Sequence, residues 1–249
     1  MSKMTLLEIV QDILSDLDSD EVNSINDTTE ALQVAQTVKT TYNNIIDGKE
    51  WPWLFGLFTL QASGTVARPT HMQLPETIID VEWVKYNIKS VTDTKSKYTT
   101  LEYRTPSEFL DLIEDRNSAS TIVTVVTDLS GTPLNIINNK APQWYTSFDD
   151  EFLVFDSYNI AIDTTLQTAK TQCYGKRSPV FTISNTFIPD MPVQMFSYLL
   201  NESKSTCFLN LKQAPNAKAE QHSVSQRRRM SQEAWRIKNG ITYPHYGRK

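Results

Sequence analysis

The chain has 249 residues with 39% hydrophobic and 21% charged side chains, the proportions of a globular protein, which excludes wholesale disorder. Seven glycines are too few for glycine-rich phosphate loops, collagen-like repeats or long flexible linkers. The two cysteines, Cys173 and Cys207, have neither metal-ligand spacing nor the density of a disulfide framework, so a reducing, intracellular site of synthesis is expected. The net charge of −5 hides an uneven distribution: from Lys212 onward nine basic residues face two acidic ones (+7), while the other 211 residues carry 15 basic and 27 acidic side chains (−12). The body should repel a polyphosphate that the C-terminal segment would attract.

The opening "MSKMTLLEIVQDILSDLDSD" turns acidic after one apolar turn, the pattern of neither a signal peptide nor a membrane span. Apolar residues at 6, 9, 10, 13, 14 and 17 predict an amphipathic helix over 5–17. "DSDEVNSIND" (18–27) alternates oxygen donors but lacks the central Gly and twelfth-position Glu of a calcium loop, and reads as a solvated turn. A second helix is expected from Asp27 as N-cap, with Glu30 three residues on, to Asp47, where Gly48 suits the left-handed position. The aromatic run "WPWLFGLFTLQA" (51–62) cannot continue that helix through Pro52.

Residues 71–87 read as two short strands around Pro75, with Trp83 expected in the core together with Trp51 or Trp53. "TLEYRTPSEFLDLIEDR" reads as a strand and then a helix capped by Thr105, with Pro106 at N1 and Glu108 at N3. Strand-like runs follow at 121–127, 133–137, 142–146, 151–156 and 166–174. Helical periodicity returns from Asp190, expected as a cap, through Met195, Tyr198, Leu199, Cys207, Phe208 and Leu211 to a break at Ala214-Pro215. A last helix over 216–238 has a thin apolar face of Ala217, Val224, Met230, Ala234 and Trp235, too polar to bury much within its own subunit. The expected fold class is α+β: residues 1–50 and 189–238 as one discontinuous helical bundle, 51–188 as a mostly antiparallel β-rich domain with one short helix, and 239–249 as an extended arm.

Chemistry-bearing patterns are few. Asp149, Asp150, Glu151 and Asp156 in "SFDDEFLVFD" offer paired carboxylates, but Asp149-Asp150 falls where a turn is expected. His71, His222 and His245 form no metal-ligand pair, and no nucleophile elbow, Walker loop or dinucleotide fingerprint occurs. Trp144 in "QWYTSFDD" is open to either packing or stacking on a ligand. "QRRRM" followed by Trp235, Tyr243 and Tyr246 mixes cations with aromatics as single-strand binders do, yet three adjacent arginines on a helix point in three directions. No enzyme, cofactor or metal is expected.

Taken in order, four stretches resemble a known family: the amphipathic helix, acidic turn and second helix ending in "DGKEWPW"; "LEYRTPSEFLDL"; "PQWYTSFDDEFLVFDSYN"; and "FIPDMPVQMFSYLLNESKSTCFLNL" leading into long C-terminal helices and a basic tail. The chain is similar in this order to the head-to-tail adaptor proteins of short-tailed bacteriophages, also called tail tubular protein A or head-completion proteins. The resemblance implies a structural virion protein, made in the host cytoplasm. It would assemble with neighbouring copies as a ring, usually of twelve, between the portal protein and the tail nozzle protein, with no membrane involved. It implies that residues 225–249 dock on the portal, with Trp235, Ile241 and Tyr243 as anchors, joined by Tyr246. Arg227, Arg228, Arg229, Arg236 and Arg248 would meet acidic portal surface. The β region is larger than in the shorter members of that group. An acidic body repeated around a ring would line a conduit that genomic DNA passes without sequence-specific binding. Two other classes remain: a nucleic-acid-binding module using the basic tail, and an enzyme with a carboxylate site at Asp149, Asp150 and Asp156.

Overall fold

The structure is a computed structural model that describes residues 3–89 and 93–239. Its helices are α1 (Leu6–Asp16), α2 (Thr29–Asp47), α3 (Pro106–Glu114), α4 (Val193–Cys207) and α5 (Ala217–Asn239). The strands are β1 (Phe55–Phe58), β2 (Gln61–Ala62), β3 (His71–Gln73), β4 (Ile78–Asn87), β5 (Tyr98–Tyr103), β6 (Val123–Thr127), β7 (Pro133–Ile137), β8 (Trp144–Ser147), β9 (Phe152–Phe155) and β10 (Thr171–Arg177). Together they make a mixed α+β fold that divides into two compact units, residues 1–54 with 179–249 and residues 55–178. None of the described helices is long and apolar enough to cross a membrane.

In the first unit, α1 starts with a reciprocal capping box between Thr5 and Glu8 and buries Leu6, Ile9, Val10, Ile13 and Leu14. It packs on α2 and α4, and α4 packs in turn on α2 and α5. The Lys204 ammonium of α4 sits between Asp12 and Asp16 of α1, at 2.8 and 2.7 Å. Burial acts to lower the pKa of Lys204, and these two carboxylates raise it overall. The segment before α4 is fastened to the N-terminal helices. The Leu6 N–H donates to Phe187 O (2.7 Å), the Tyr42 hydroxyl donates to Asp190 O (3.0 Å), and the Ile25 N–H donates to Asn185 Oδ1 (3.0 Å).

Three helix-end expectations are corrected. Thr28, not Asp27, caps α2, because the Asp27 carboxylate turns back to accept the N–H groups of Asn23 and Ser24. Gly48 stays right-handed at φ −67°, its N–H still bonded to Asn44 O. α4 begins after Pro192, not at Asp190, whose carbonyl is taken by Tyr42.

In the second unit eight strands form one curled mixed sheet in the order β1-β10-β4-β5-β8-β9-β3-β2. Only the β5–β8 pair is parallel (Glu102 opposite Trp144, Tyr103 opposite Tyr145). The two outermost strands, β1 and β2, are consecutive pieces of the run 55–62, so both sheet edges end on one stretch of chain. Leu60 N–H between them and Ala62 N–H at the end of β2 donate to the hydroxyls of Thr171 and Thr168, each at 3.0 Å. Curling places Leu60, Met72, Val84, Leu101, Val154 and Phe155 in a common core. At a bulge between β10 and β4, a Cβ on Gly175 would lie 2.2 Å from the Asp80 carbonyl oxygen, so only glycine fits there.

The helix α3 starts as its sequence dictates, with the Thr105–Glu108 capping box and Pro106 in the first turn. It packs on β7 and β8 and buries Phe109 completely, a contribution of roughly 2–3 kcal/mol. β6 and β7 form a separate hairpin with Val125 opposite Asn135. Trp51 is buried, its indole N–H donating to Ile45 O (2.6 Å). Trp83 is not in the core. On β4 its side chain alternates away from buried Val84 and Tyr86, stacks on Tyr174 (5.8 Å between rings) and lies under the Lys85 ammonium (4.5 Å).

Candidate partner-binding surface on the C-terminal helix

The α4–α5 hairpin is made by local chemistry. After Cys207 a single π-helical turn (Phe208–Lys212) leads to Gln213, which adopts the left-handed conformation (φ 52°). Pro215 follows, and Asn216 opens α5 by accepting the Ala219 N–H on its side-chain oxygen (3.1 Å). The strip that α5 lays against its own unit is narrow. Ala219, Ser223, Met230 and Ala234 are buried, on the 4–7–4 spacing of one helix face. The expected face is corrected at Ala217 and Val224, which lie off the buried strip and are exposed.

Small and polar groups hold that seam. The Ser223 hydroxyl donates to the Glu202 carboxylate, and the Gln226 side-chain amide donates to the Ser197 hydroxyl. Asn201 donates to Ser197 O (2.7 Å) and to Gln226 Oε1 (3.3 Å). Further along, the Lys49 ammonium donates to Ser231 O (3.0 Å) while lying 5.5 Å over Trp51. The Tyr198 phenol is pushed up by burial and by the Glu202 carboxylate, against the pull of the Arg227 guanidinium. A cleft of about 220 Å³ opens here between α2, α4 and α5, lined by Thr37, Thr41, Lys49, Tyr198, Glu202 and Arg227.

The rest of α5 faces outward. Arg227, Arg228 and Arg229 are all exposed and fan around the helix, Arg228 on the side opposite the buried strip and the other two on its flanks. Val224 (45% exposed) and Leu209 (60%) add apolar surface on α5 and on the turn before it. Trp235 and Arg236 fall on the α5 backbone, but their side chains are not among the described groups. Ile241, Tyr243, Tyr246 and Arg248, with the whole expected arm beyond Asn239, lie outside the described residues.

The carboxylates of "SFDDEFLVFD" do not converge. Asp149 closes the β8–β9 turn, its Oδ1 accepting the N–H groups of Glu151 (3.1 Å) and Phe152 (2.9 Å), and Asp150 takes a left-handed φ of 60°. Asp156 lies past the other end of β9, fully buried. It accepts from Arg116 (3.1 Å), from the N–H groups of Gln143 (2.9 Å) and Trp144 (3.0 Å), and from the Ser157 hydroxyl (3.2 Å). Among the described residues no group of three His, Cys, Asp or Glu side chains is placed to hold a metal. "DSDEVNSIND" is an interhelical turn closed by Asp27 and by the Ser19 hydroxyl on Glu30 (2.7 Å).

One buried polar pair has no counterpart in the sequence reading. His71 of β3 is 1% exposed, and its Nε2 lies 3.0 Å from Asp128 Oδ1, while Asp128 Oδ2 accepts the N–H (3.0 Å) and hydroxyl (2.8 Å) of Ser130. The pair ties the β6–β7 turn to β3. Burial works to raise the Asp128 pKa, but the Ser130 and Leu129 N–H groups, His71 and the Ser130 hydroxyl bring it down to about 2. The two partners are 57 positions apart, and nothing local couples them. The carboxylate lies between imidazole and hydroxyl, so it is not a nucleophile–base relay, in which the base must touch the nucleophile.

No protein-family model matches the chain, and no curated protein matches it.

Proposed function

We propose that the chain is a non-enzymatic structural protein of a virion: a head-to-tail adaptor whose copies form a ring between a portal and a tail nozzle, with α5 and the segment after it as the portal-docking element. The observation that carries this reading is the two-sidedness of α5. A narrow strip of alanine, serine and methionine holds it to its own unit, while Arg228 and Val224 lie off that strip and Arg227 and Arg229 are exposed on its flanks. A basic helix that leaves its polar faces uncovered is suited to a second protein, and arginines beside apolar groups are the usual energetic centres of interfaces. Of the carboxylates that would have favoured catalysis, Asp149 and Asp156 are engaged in holding the β8–β9 turn and Arg116. A helical unit drawn from both ends of the chain, with the β unit inserted between them in sequence, is consistent with such a ring subunit.

Cutting the chain after Val224 would remove Met230 and Ala234 from the seam as well as the arginines, so it cannot separate docking from folding. The test is therefore Arg228→Glu, and separately a truncation after Asn239, each mixed with the portal protein of the same virus. Electron microscopy should show rings of the parent seated on the portal and few or none for either variant, with unchanged thermal unfolding. Undiminished co-assembly of both variants would remove the docking assignment. The same arginines favour a second reading, nucleic-acid binding. DNA affinity that falls steeply with salt and is lost in Arg228→Glu would select it over the first.

A further inference from the structure

In the second unit a cavity of about 300 Å³ opens at the end of the curled sheet where β4 finishes and β10 begins. The volume is at the small end of the range usual for ligand pockets, enough for one ring or a short branched chain. Its floor is apolar and fixed: Tyr86, Pro142, Tyr158 and Leu166 are all buried, with the more exposed Ile88 and Ile162 as walls. Both phenols are anchored, Tyr86 O accepting the Gln167 N–H (3.3 Å) and the Tyr158 hydroxyl donating to Thr124 (3.4 Å).

The polar groups around this floor are unequal. The side-chain oxygens each hold at least one hydrogen bond or ion pair. Asn87 Oδ1 takes the N–H groups of Lys89 and Lys97 (both 3.1 Å), and Asn159 Oδ1 takes that of Ala161 (3.1 Å). The Thr165 carbonyl and hydroxyl both accept from Gln167, and the Asp163 carboxylate is paired with Lys170. These side chains also offer donors: the amide N–H₂ groups of Asn87 and Asn159, and the ammonium of Lys89. With Asp163 set against Lys170, the lining carries one further positive charge, that of Lys89.

We infer that this cavity is a binding site for a small monocarboxylate with an apolar body, the body on the tyrosine, proline and leucine floor and the carboxylate among the Lys89, Asn87 and Asn159 donors. A dianion would face the Asp163 carboxylate. The inference is independent of the adaptor reading, since every residue it uses lies in the second unit and none in α5.

The test is titration of the full-length protein, at constant ionic strength, with sodium benzoate and with benzamide, its uncharged isostere. Methyl resonances of Ile88 and Ile162 report occupancy. Benzoate should saturate these shifts with at least tenfold higher affinity than benzamide. Lys89→Met should weaken benzoate at least fivefold and leave benzamide unchanged, and Ile162→Trp, which fills the cavity from a partly exposed wall, should abolish both. Equal affinities, shifts located elsewhere, the absence of saturation, or a Lys89→Met variant that binds benzoate as the parent does would each overturn the assignment. Unchanged thermal unfolding of both variants secures the comparison.

Discussion

Asp156→Asn is the substitution that most sharply separates a structural carboxylate from a functional one. Asparagine keeps an oxygen for the Gln143 and Trp144 N–H groups, and its volume is nearly that of aspartate. What it removes is the charge facing Arg116, whose side chain is 11% exposed and whose guanidinium also donates to the Asn135 and Asp156 carbonyls. Those carbonyl bonds survive, but the cation is left buried without its anion. Breaking a buried pair from one side costs about 3–5 kcal/mol. The loss of one charged hydrogen bond alone would be about 1.5–3 kcal/mol, so the stranded charge decides the size. Because the protein has two units, global unfolding is not a single equilibrium. The assay is hydrogen exchange of the β8 and β9 amides with increasing urea. Protection there should fall by about 3 kcal/mol or more, and Arg116→Met combined with Asp156→Asn should recover part of it. A change under about 0.5 kcal/mol, the scale of an ordinary surface substitution, would refute the assignment of Asp156 as a structural anchor.

Asp128 makes an acid-dependent contribution. Its folded pKa of about 2 lies below the unfolded value of 3.8, so its stabilisation, about 2 kcal/mol, is complete above pH 4–5 and is lost as pH falls toward 2. Urea denaturation of Asp128→Asn should show a flatter acid limb than the parent over that window. Thr105→Ala removes the hydroxyl that accepts the Glu108 N–H and should cost about 1 kcal/mol, read as lost protection of the α3 amides. Burial pushes the thiols of Cys173 and Cys207 up to about 12 and about 11, so a thiol reagent at pH 8 should label neither until urea unfolds the protein.

Elements whose ends are written in adjacent residues were legible. α3 is specified by Thr105, Pro106 and Glu108 within four positions, and it starts where that pattern says. α1 begins at Leu6 behind Thr5, within a residue of the periodic run that announces it. The Asp27–Thr28 choice was not decidable locally, because both residues can cap. Asp27 is diverted only when the preceding turn folds and presents the Asn23 and Ser24 N–H groups. Strands were found as apolar runs, but the parallel contact between β5 and β8 joins segments about forty positions apart. Trp83 shows the same limit at the level of one residue. Its size suggests a core, yet its place in the β4 alternation is fixed by neighbours on β10.

The candidate surface was half legible, for a reason visible in α5. Charge is additive along a chain, so the concentration of arginine after Lys212 needs no three-dimensional knowledge to be seen. Which side of the helix faces its own unit is a different question, and hydropathy gives the wrong answer. Val224 is the most apolar residue in the first two turns and is turned to solvent, while Ser223 beside it is 2% exposed. The reason lies in α4, which offers Ser197, Asn201 and Glu202 to the seam and therefore selects partners that can hydrogen-bond and approach closely. Small residues at 219, 223 and 234 carry that selection, and a search for close-packing spacing would have found Ser223 where a search for apolar residues does not. The same seam explains why a helix with so little apolar surface stays in place with Arg228 facing outward. Its inner face is matched to the polar side chains that α4 presents at Ser197, Asn201 and Glu202.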